Sequence, residues 1–374
     1  MNDTDIPLVD LRLAHRRVAD DVAIGFARVL EAASYVLGPE VTAFEEAFAA
    51  YCGVDHCLGV GNGTDAVELA LRGCGIGPGD EVIIPANTFV ATAEAVVRTG
   101  ATVALADVTA DHLIDPLSVA ARLTPATRAV IGVHLYGQMA PMEQLRSVVG
   151  QDVALIEDAA QSQGARRFGH RSGSIGDAAA TSFYPGKNLG AYGDAGAVTT
   201  ASATIADYLR AVRNHGGTHK YEHLEIGVNS RLDSLQAVVL STKLAVLDDW
   251  NDERRAAAQR YDGLLSDIEG LQLPTVAEGN EHVWHLYVIQ SDERDELVSA
   301  LNGAGIGAGI HYPRPIHLLP AFEHLGHRRG DFPVTEAAAE RILSLPLFPG
   351  ITAEQQTRVA EAVRSSLSTR ALLA

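Results

Sequence analysis

Between residues 51 and 200 the chain alternates two patterns of hydrophobic and polar positions. Short apolar or β-rich runs read as strands: "HCLGV" from His56, "DEVIIP" from Asp80, "TVALAD" from Thr102, "RAVIGVH" from Arg128, "VALIED" from Val153, "AATSFY" from Ala179 and "GAVTT" from Gly196. Between several of them apolar residues recur at helical spacing, in "TDAVELALRG", "TFVATAEAVVRTG" and "PMEQLRSVVG". Strands that alternate with helices predict an α/β fold whose mostly parallel, mixed sheet is covered on both faces. Ligands of such sheets gather at the carboxyl ends of the strands.

Beyond residue 200 the pattern changes. A long helix is expected over Ser230–Ile268, bridging to a second unit. There "HVWHLYVIQ" reads as a strand, "RDELVSALNGAG" as a helix with a glycine stop, and "VTEAAAERILSL" as a further helix. The T-A-E-Q run from Thr352 is a capping-box pattern that opens a last helix. The expected division is a large domain over 1–249 and a smaller α/β domain over 250–374. A chain of 374 residues suits such a pair better than one small core.

Composition narrows the partners. At 47% hydrophobic and 20% charged residues the chain can bury a sizeable core. A net charge of −18 argues against nucleic acid and anionic membrane, but leaves room for a small anionic ligand beside a local cluster of cations. No apolar run approaches membrane-spanning length. The first residues lack a basic segment followed by an apolar one, so no signal peptide and a cytoplasmic location are expected. Cys52 and Cys57 flank His56 without a second ligand pair, so the three cysteines read as buried thiols in a reducing compartment, not as a zinc site.

The candidate chemistry lies at the predicted strand ends. Lys187 follows "AATSFY" within "SFYPGKNLGAYGDAG". It is either a solvated surface charge or a partly buried amine, whose lowered pKa would make it a nucleophile toward carbonyls. Asp158 ends "VALIED", as a helix N-cap or as partner to a protonated ring nitrogen, with Gln161 in reach of the same ring. Gly59, Gly61 and Gly63 suggest a dinucleotide fingerprint, but Thr64 breaks it. A single phosphate at the start of the helix Thr64–Leu71, with the Thr64 hydroxyl as donor, fits better. Phe89 is either core or a face on which an aromatic cofactor stacks. A phosphate site, an acid for a pyridine nitrogen and a lysine for an aldehyde together describe pyridoxal 5′-phosphate (PLP).

Eight motifs in this order carry a resemblance over nearly the whole chain. They are "YVLGPEVTAFEEAFAAYCG", "NGTDAVELAL", "PANTFVATAEAV", "LYGQMAPM", "IEDAAQSQGA", "SFYPGKNLGAYGDAGAV", "RNHGGTHKYEHLEIGVNSRLDSLQAVVL" and "HYPRPIHLLPAF". With them the chain resembles the DegT/DnrJ/StrS sugar aminotransferases, PLP enzymes of fold type I. The resemblance implies that Lys187 forms the Schiff base and moves the proton. It implies that Asp158 meets the pyridine nitrogen, Gln161 the ring hydroxyl and Phe89 the ring face. Gly63, Thr64, Asp65 and Ser182 would bind the phosphate, and Asn229 would reach the phosphate of a neighbouring subunit in a homodimer with shared sites.

The segment Arg213–Arg231 carries Arg213, Lys220 and Arg231 with three histidines, and is either a solvated loop or a positive rim for a nucleotide pyrophosphate. His215, Lys220, Tyr221 and Arg231 are the substrate-binding candidates there. Tyr184, Tyr312 and His317 are expected to complete the substrate pocket. The resemblance implies amino transfer from L-glutamate to a nucleotide-linked keto-sugar. Within the family "YPGKNLGAYGDAG" is similar to members that aminate C3, so a dTDP-3-keto-6-deoxyhexose giving a 3-amino sugar is expected. A C4-aminating enzyme and a PLP-binding, non-catalytic regulator are the alternatives; a lysine at 187 argues against the dehydratases, which carry histidine there.

Overall fold

All seven apolar runs become strands of one sheet in the computed structural model, which describes residues 5–219 and 221–371, the last four as backbone only. In chain order these are β1 (His56–Val60), β2 (Glu81–Pro85), β3 (Thr102–Ala106), β4 (Thr127–Val133), β5 (Ala154–Asp158), a small hairpin of β6 (Arg166–Arg167) and β7 (His170–Arg171), then β8 (Ala178–Ser182) and β9 (Gly196–Thr200). Four short strands follow: β10 (Leu271–Gln272), β11 (Asn280–Glu281), β12 (Tyr287–Ser291) and β13 (Ile342–Leu345).

The large sheet has the order β1-β9-β8-β5-β4-β2-β3. The pairs β2–β3, β2–β4, β4–β5 and β5–β8 are parallel, while β9 runs against both its neighbours. The helices are α1 (Leu11–Ala32), α2 (Pro39–Cys52), α3 (Gly63–Gly73), α4 (Val90–Thr99), α5 (Pro116–Arg122), α6 (Met142–Val149), α7 (Ala203–Val212), α8 (Ser234–Leu244), α9 (Leu247–Leu265), α10 (Arg294–Gly303), α11 (Pro333–Arg341) and α12 (Ala353–Ala371). Apolar residues of the central strands are buried on both faces, as crossover helices require. A second core joins α9, α10 and α12 to the sheet β10-β12-β13, and Ile6 belongs to it. No helix among the described residues is long and apolar enough to cross a membrane.

Three expectations are corrected. The helix expected over Ser230–Ile268 is two helices, broken at Val246 (φ −121°, ψ 8°). The halves have different partners: α8 packs on α1 and α2, α9 on α12, and one straight rod could not face both. "ILSL" leaves the preceding helix and becomes β13, paired antiparallel with β12. A short apolar run carries no period by which helix and strand can be told apart. Only Tyr287–Ser291 of "HVWHLYVIQ" is a strand. Its front half is drawn off by the turn at Tyr136–Gly137, whose carbonyls accept from Leu286 N (3.1 Å) and Val283 N (2.9 Å). The capping box at Thr352 is present, with Gln355 N donating to Thr352 Oγ1 (3.1 Å) and Thr352 N to Gln355 Oε1 (2.9 Å).

Successive strand residues face opposite sides, so Glu157 and Asp158 serve different faces of β5. Glu157 is fully buried, and its carboxylate accepts from His134 Nε2 (2.8 Å), Gly173 N (2.8 Å), Ile175 N (2.7 Å) and Gly176 N (2.8 Å). Burial alone would raise its pKa; the bond and charge of His134, with the amides of Gly176 and Gly173, outweigh it and hold Glu157 below the ordinary 4.5. A lowered carboxylate stabilises the fold above the unfolded group's range and loses that effect as pH falls through the folded value. Glu157→Gln should therefore cost about 3–5 kcal/mol at neutral pH, because it breaks a buried charged network. The deficit should shrink on acidification below about pH 4. Urea unfolding of both proteins across this range checks it; an equal deficit at every pH would refute the charge's role.

Candidate active site

The carboxyl ends of β4, β5 and β8 and the starts of α3 and α4 open onto one cavity of about 730 Å³. Lys187, Asp158, Gln161, Ser182, Gly63 and Thr64 all line it. The strand-end rule thus converges residues separated by more than a hundred positions.

Lys187 stands after β8, its amide donating to Tyr184 O at 2.8 Å. Its side chain is half-buried and lines the cavity. Burial pushes its amine down to about 8 from 10.5, against the opposing pull of Asp158. That is a nucleophile available near neutral pH. Asp158 Oδ2 accepts from Thr92 Oγ1 (2.8 Å), which is itself 2.7 Å from Thr88 Oγ1, and Asp158 Oδ1 accepts from Ala160 N (3.2 Å). The carboxylate is aimed by α4 as well as by its own strand. Gln161 Oε1 accepts from Tyr136 N (2.7 Å), leaving Nε2 as donor to Tyr312 Oη (3.1 Å). Tyr312 therefore forms part of the cavity wall, and Tyr184 lines it too.

The start of α3 is a ready anion cradle. Asn62 caps the helix by accepting from Asp65 N at 2.8 Å, which leaves the first-turn amides of Gly63 and Thr64 without intrahelical partners. Ser182 closes the cradle so tightly that a Cβ on Gly63 would come within 2.5 Å of Ser182 Cβ. Phe89 precedes α4 in extended conformation and is 51% exposed, so it is not core. Its ring lies 5.2 Å from that of Tyr312 on the cavity wall. A phosphate cradle, a flat wall, a buried acid and a low-pKa amine fit a PLP-sized group.

Other expected residues are not brought to the cavity. Asp65 accepts from Ser230 Oγ (2.6 Å) and Asn62 Nδ2 (3.0 Å) and pairs with Arg98 (3.1 Å), so it ties the α3 turn to the 229–230 segment. An anion so engaged is a fastener, not a phosphate ligand. His317 is buried away from the cavity, its Nε2 2.9 Å from Glu336 Oε1, because the short turn at Ile316–Leu318 points it inward. Asn229, His215 and Tyr221 are exposed on the 213–231 segment, and Arg231 donates to Asn214 Oδ1 at 3.0 Å. Lys220 lies outside the described residues. Arg213 does not charge the rim: it is buried against Glu45 and donates to Gly59 O at 2.7 Å.

Among the cavity residues that sequence reasoning did not single out are His285 and His311. His285 Nδ1 lies 3.1 Å from Asn188 Oδ1, and Asn188 Nδ2 donates to Asn251 Oδ1 (2.9 Å) and Val283 O (3.0 Å). This fixes the proton on Nδ1 and turns Nε2 away from Asn188. His311 Nδ1 is 2.9 Å from Ser344 Oγ. Burial, helped by the Lys187 charge, pushes both imidazoles below their ordinary range, so both are neutral. The pairing of "HVWH" with "KN" was not visible because only the broken strand brings them together.

With the cofactor removed, Lys187 should acylate with a midpoint near pH 8, whereas exposed lysines follow a midpoint near 10.4. Asp158→Asn should lower it further, since the acid is what favours the charged amine. Mass-spectrometric labelling against pH checks both; an upward shift in the variant would refute the coupling.

The chain matches known proteins over nearly its whole length. The family model described as the DegT/DnrJ/EryC1/StrS aminotransferase family matches residues 19–364. The chain is 46% identical over 361 residues to dTDP-3-amino-3,4,6-trideoxy-alpha-D-glucose transaminase of Streptomyces venezuelae, covering 96% of this chain and 95% of that protein. Its structure superposes on S. venezuelae DesV with a TM-score of 0.94 at 46% identity, covering 96% of this chain and 98% of that one. NtdA of Bacillus subtilis, solved with bound cofactor PMP, gives 0.87 at 30% identity, with 94% and 82% covered. With Lys187, Asp158 and the α3 cradle disposed around one cavity, and this match over nearly its whole length, the chain belongs to the DegT/DnrJ/EryC1/StrS aminotransferase family and is a pyridoxal-phosphate-dependent sugar aminotransferase.

Proposed function

We propose that the protein transfers the amino group of L-glutamate to C3 of a dTDP-linked 3-keto-6-deoxyhexose. The observation that carries the amino-transfer chemistry is the Lys187 amine, tuned to about 8, on one cavity with Asp158. The sugar class follows the name of the S. venezuelae relative and the "YPGKNLGAYGDAG" motif. Bound PLP supplies an electron sink for a carbanion at the donor carbon. Asp158 would hold the proton on the ring nitrogen, and Thr92 and Ala160 fix its oxygens by hydrogen bonds. Gly63, Thr64 and Ser182 would hold the phosphate, Gln161 would meet the ring hydroxyl, and Phe89 would cover the ring. With the cofactor bound, Lys187 would be the base that takes the proton from the donor carbon and gives it back.

The reading includes a homodimer in which Asn229 and the 213–231 segment serve the neighbouring site. Tyr221, Leu224 and Ile226 of that segment are 82–88% exposed, an apolar patch that favours being covered. It also includes the division into domains 1–249 and 250–374, and a cytoplasmic location, where the free thiols of Cys52, Cys57 and Cys74 stay reduced.

Matched dTDP-linked 3-keto and 4-keto sugars, offered with glutamate, test the regiochemistry. Nitrogen should appear at C3 by NMR, with 2-oxoglutarate formed in step; nitrogen at C4 alone refutes it. Lys187→Ala should lose at least about 10³-fold in turnover, since both attack and proton transfer depend on that amine. Sedimentation equilibrium should give a dimer that persists at assay concentrations; an active monomer contradicts the shared site.

A further inference from the structure

The glycine-rich run "GAGIGAG" at 303–309 follows α10 and brings no reactive group. In the fold it receives residues 5–9. Ile6 is buried and pairs in parallel with Ile306, its N donating to Gly305 O (2.8 Å) and its O accepting from Gly307 N (2.7 Å). A Cβ on Gly307 would come within 2.6 Å of Leu8 N, so a side chain there would push the segment away. Leu8 O accepts from Leu347 N (3.3 Å), and Asp10 caps α1 by accepting from Arg12 N (3.0 Å). The segment is thus held at both ends.

Between those anchors Leu8 and Val9 line the active-site cavity. Val9 also packs on the second core. Leu8 is half-buried and belongs to none of the buried clusters. A Cβ at Gly309 would stand 3.5 Å from Leu8 Cδ2 and 3.2 Å from His311 Cε1, so Leu8 and His311 flank Gly309 in one wall. A leucine fixed against a solvent-filled cavity gains free energy only when apolar surface covers it.

We propose that Leu8, seated by the 303–309 glycines, is a specificity residue that covers the 6-methyl group of the acceptor sugar and disfavours acceptors with a hydroxyl there. The proposal rests on the deoxysugar reading above. Of the two substrates, glutamate is charged at both ends and gains nothing from Leu8. The methyl of a deoxysugar gains by leaving water against Leu8, whereas a hydroxyl turned to the same apolar side chain would give up water's hydrogen bonds on that side.

The test uses the PLP-loaded enzyme with dTDP-3-keto-6-deoxyglucose and its 6-hydroxy counterpart. The wild type should prefer the deoxysugar by about 10- to 100-fold in kcat/KM. Leu8→Ser and Leu8→Ala should each shrink that ratio about tenfold, while the glutamate half-reaction, followed by cofactor absorbance, keeps its rate. Calorimetric Kd values for the two 3-amino products should converge in the same variants. A ratio unchanged in both variants, or a loss shared equally by the glutamate half-reaction, would overturn the proposal. A wild type that fails to convert glutamate would overturn the glutamate-donor reading instead, and the product-binding ratio would still decide the role of Leu8.

Discussion

The site depends on one buried carboxylate that takes no part in the chemistry. Glu157 ties the end of β5 to His134 after β4 and to the turn 173–176 before β8. These three strands are neighbours in the sheet, and their carboxyl ends form the floor of the cavity. An ionised carboxylate inside a protein is tolerable only when its oxygens are fully bonded. Satisfying Glu157 therefore fixes the relative height of the strand ends. Asp158, on the opposite face of the same strand, inherits that position, and His134 N donates to Asp158 O (2.9 Å) to complete the tie.

On this floor the electrostatics are arranged by exclusion of water more than by added charge. The Asp158 charge favours a protonated Lys187, yet its pKa falls because burial outweighs that attraction. His285 and His311 stay neutral beside it for the same reason. A second buried lysine, Lys243, is also lowered to about 8, but it donates to Gly190 O and faces the Tyr192 ring, so it braces the segment after Lys187. The C-terminal part of the chain completes the enclosure through His285, His311, Tyr312 and the glycine run that seats Leu8. The cavity is thus closed by segments whose own core lies elsewhere.

The chain's cations are mostly spent on framework. Arg213 is buried against Glu45, Arg98 bridges Asp65 and Glu68, and Arg254 is buried with bonds to two carbonyls. The 213–231 segment is therefore less positive than its composition suggests, and its exposed apolar residues are its more distinctive feature. A strongly acidic surface with a small cationic reserve suits a small anionic ligand held by amides and helix ends better than one held by a basic groove.

The sequence by itself determined the sheet, the helices that cover it, and the residues at its carboxyl ends. Period-2 and period-3.6 patterns report burial directly, and a lysine, an acid and a glycine-led helix start keep their chemistry wherever the chain goes. Lys187, Asp158, Gln161, Gly63 and Thr64 could be singled out for that reason, whereas Ser182, Phe89 and Tyr312 took their roles from the family resemblance; all eight line the cavity. The tertiary structure alone decided which polar groups face the cavity and which are consumed as fasteners. Asp65 and His317 look like ligands in the sequence, but Ser230 and Glu336, 165 and 19 residues away, claim them. His285 and Leu8 carry no local signal, since each reaches the site from a segment whose neighbours belong to the second core. Contacts between distant segments depend on how two cores meet, and no local pattern of hydrophobic and polar positions encodes that meeting.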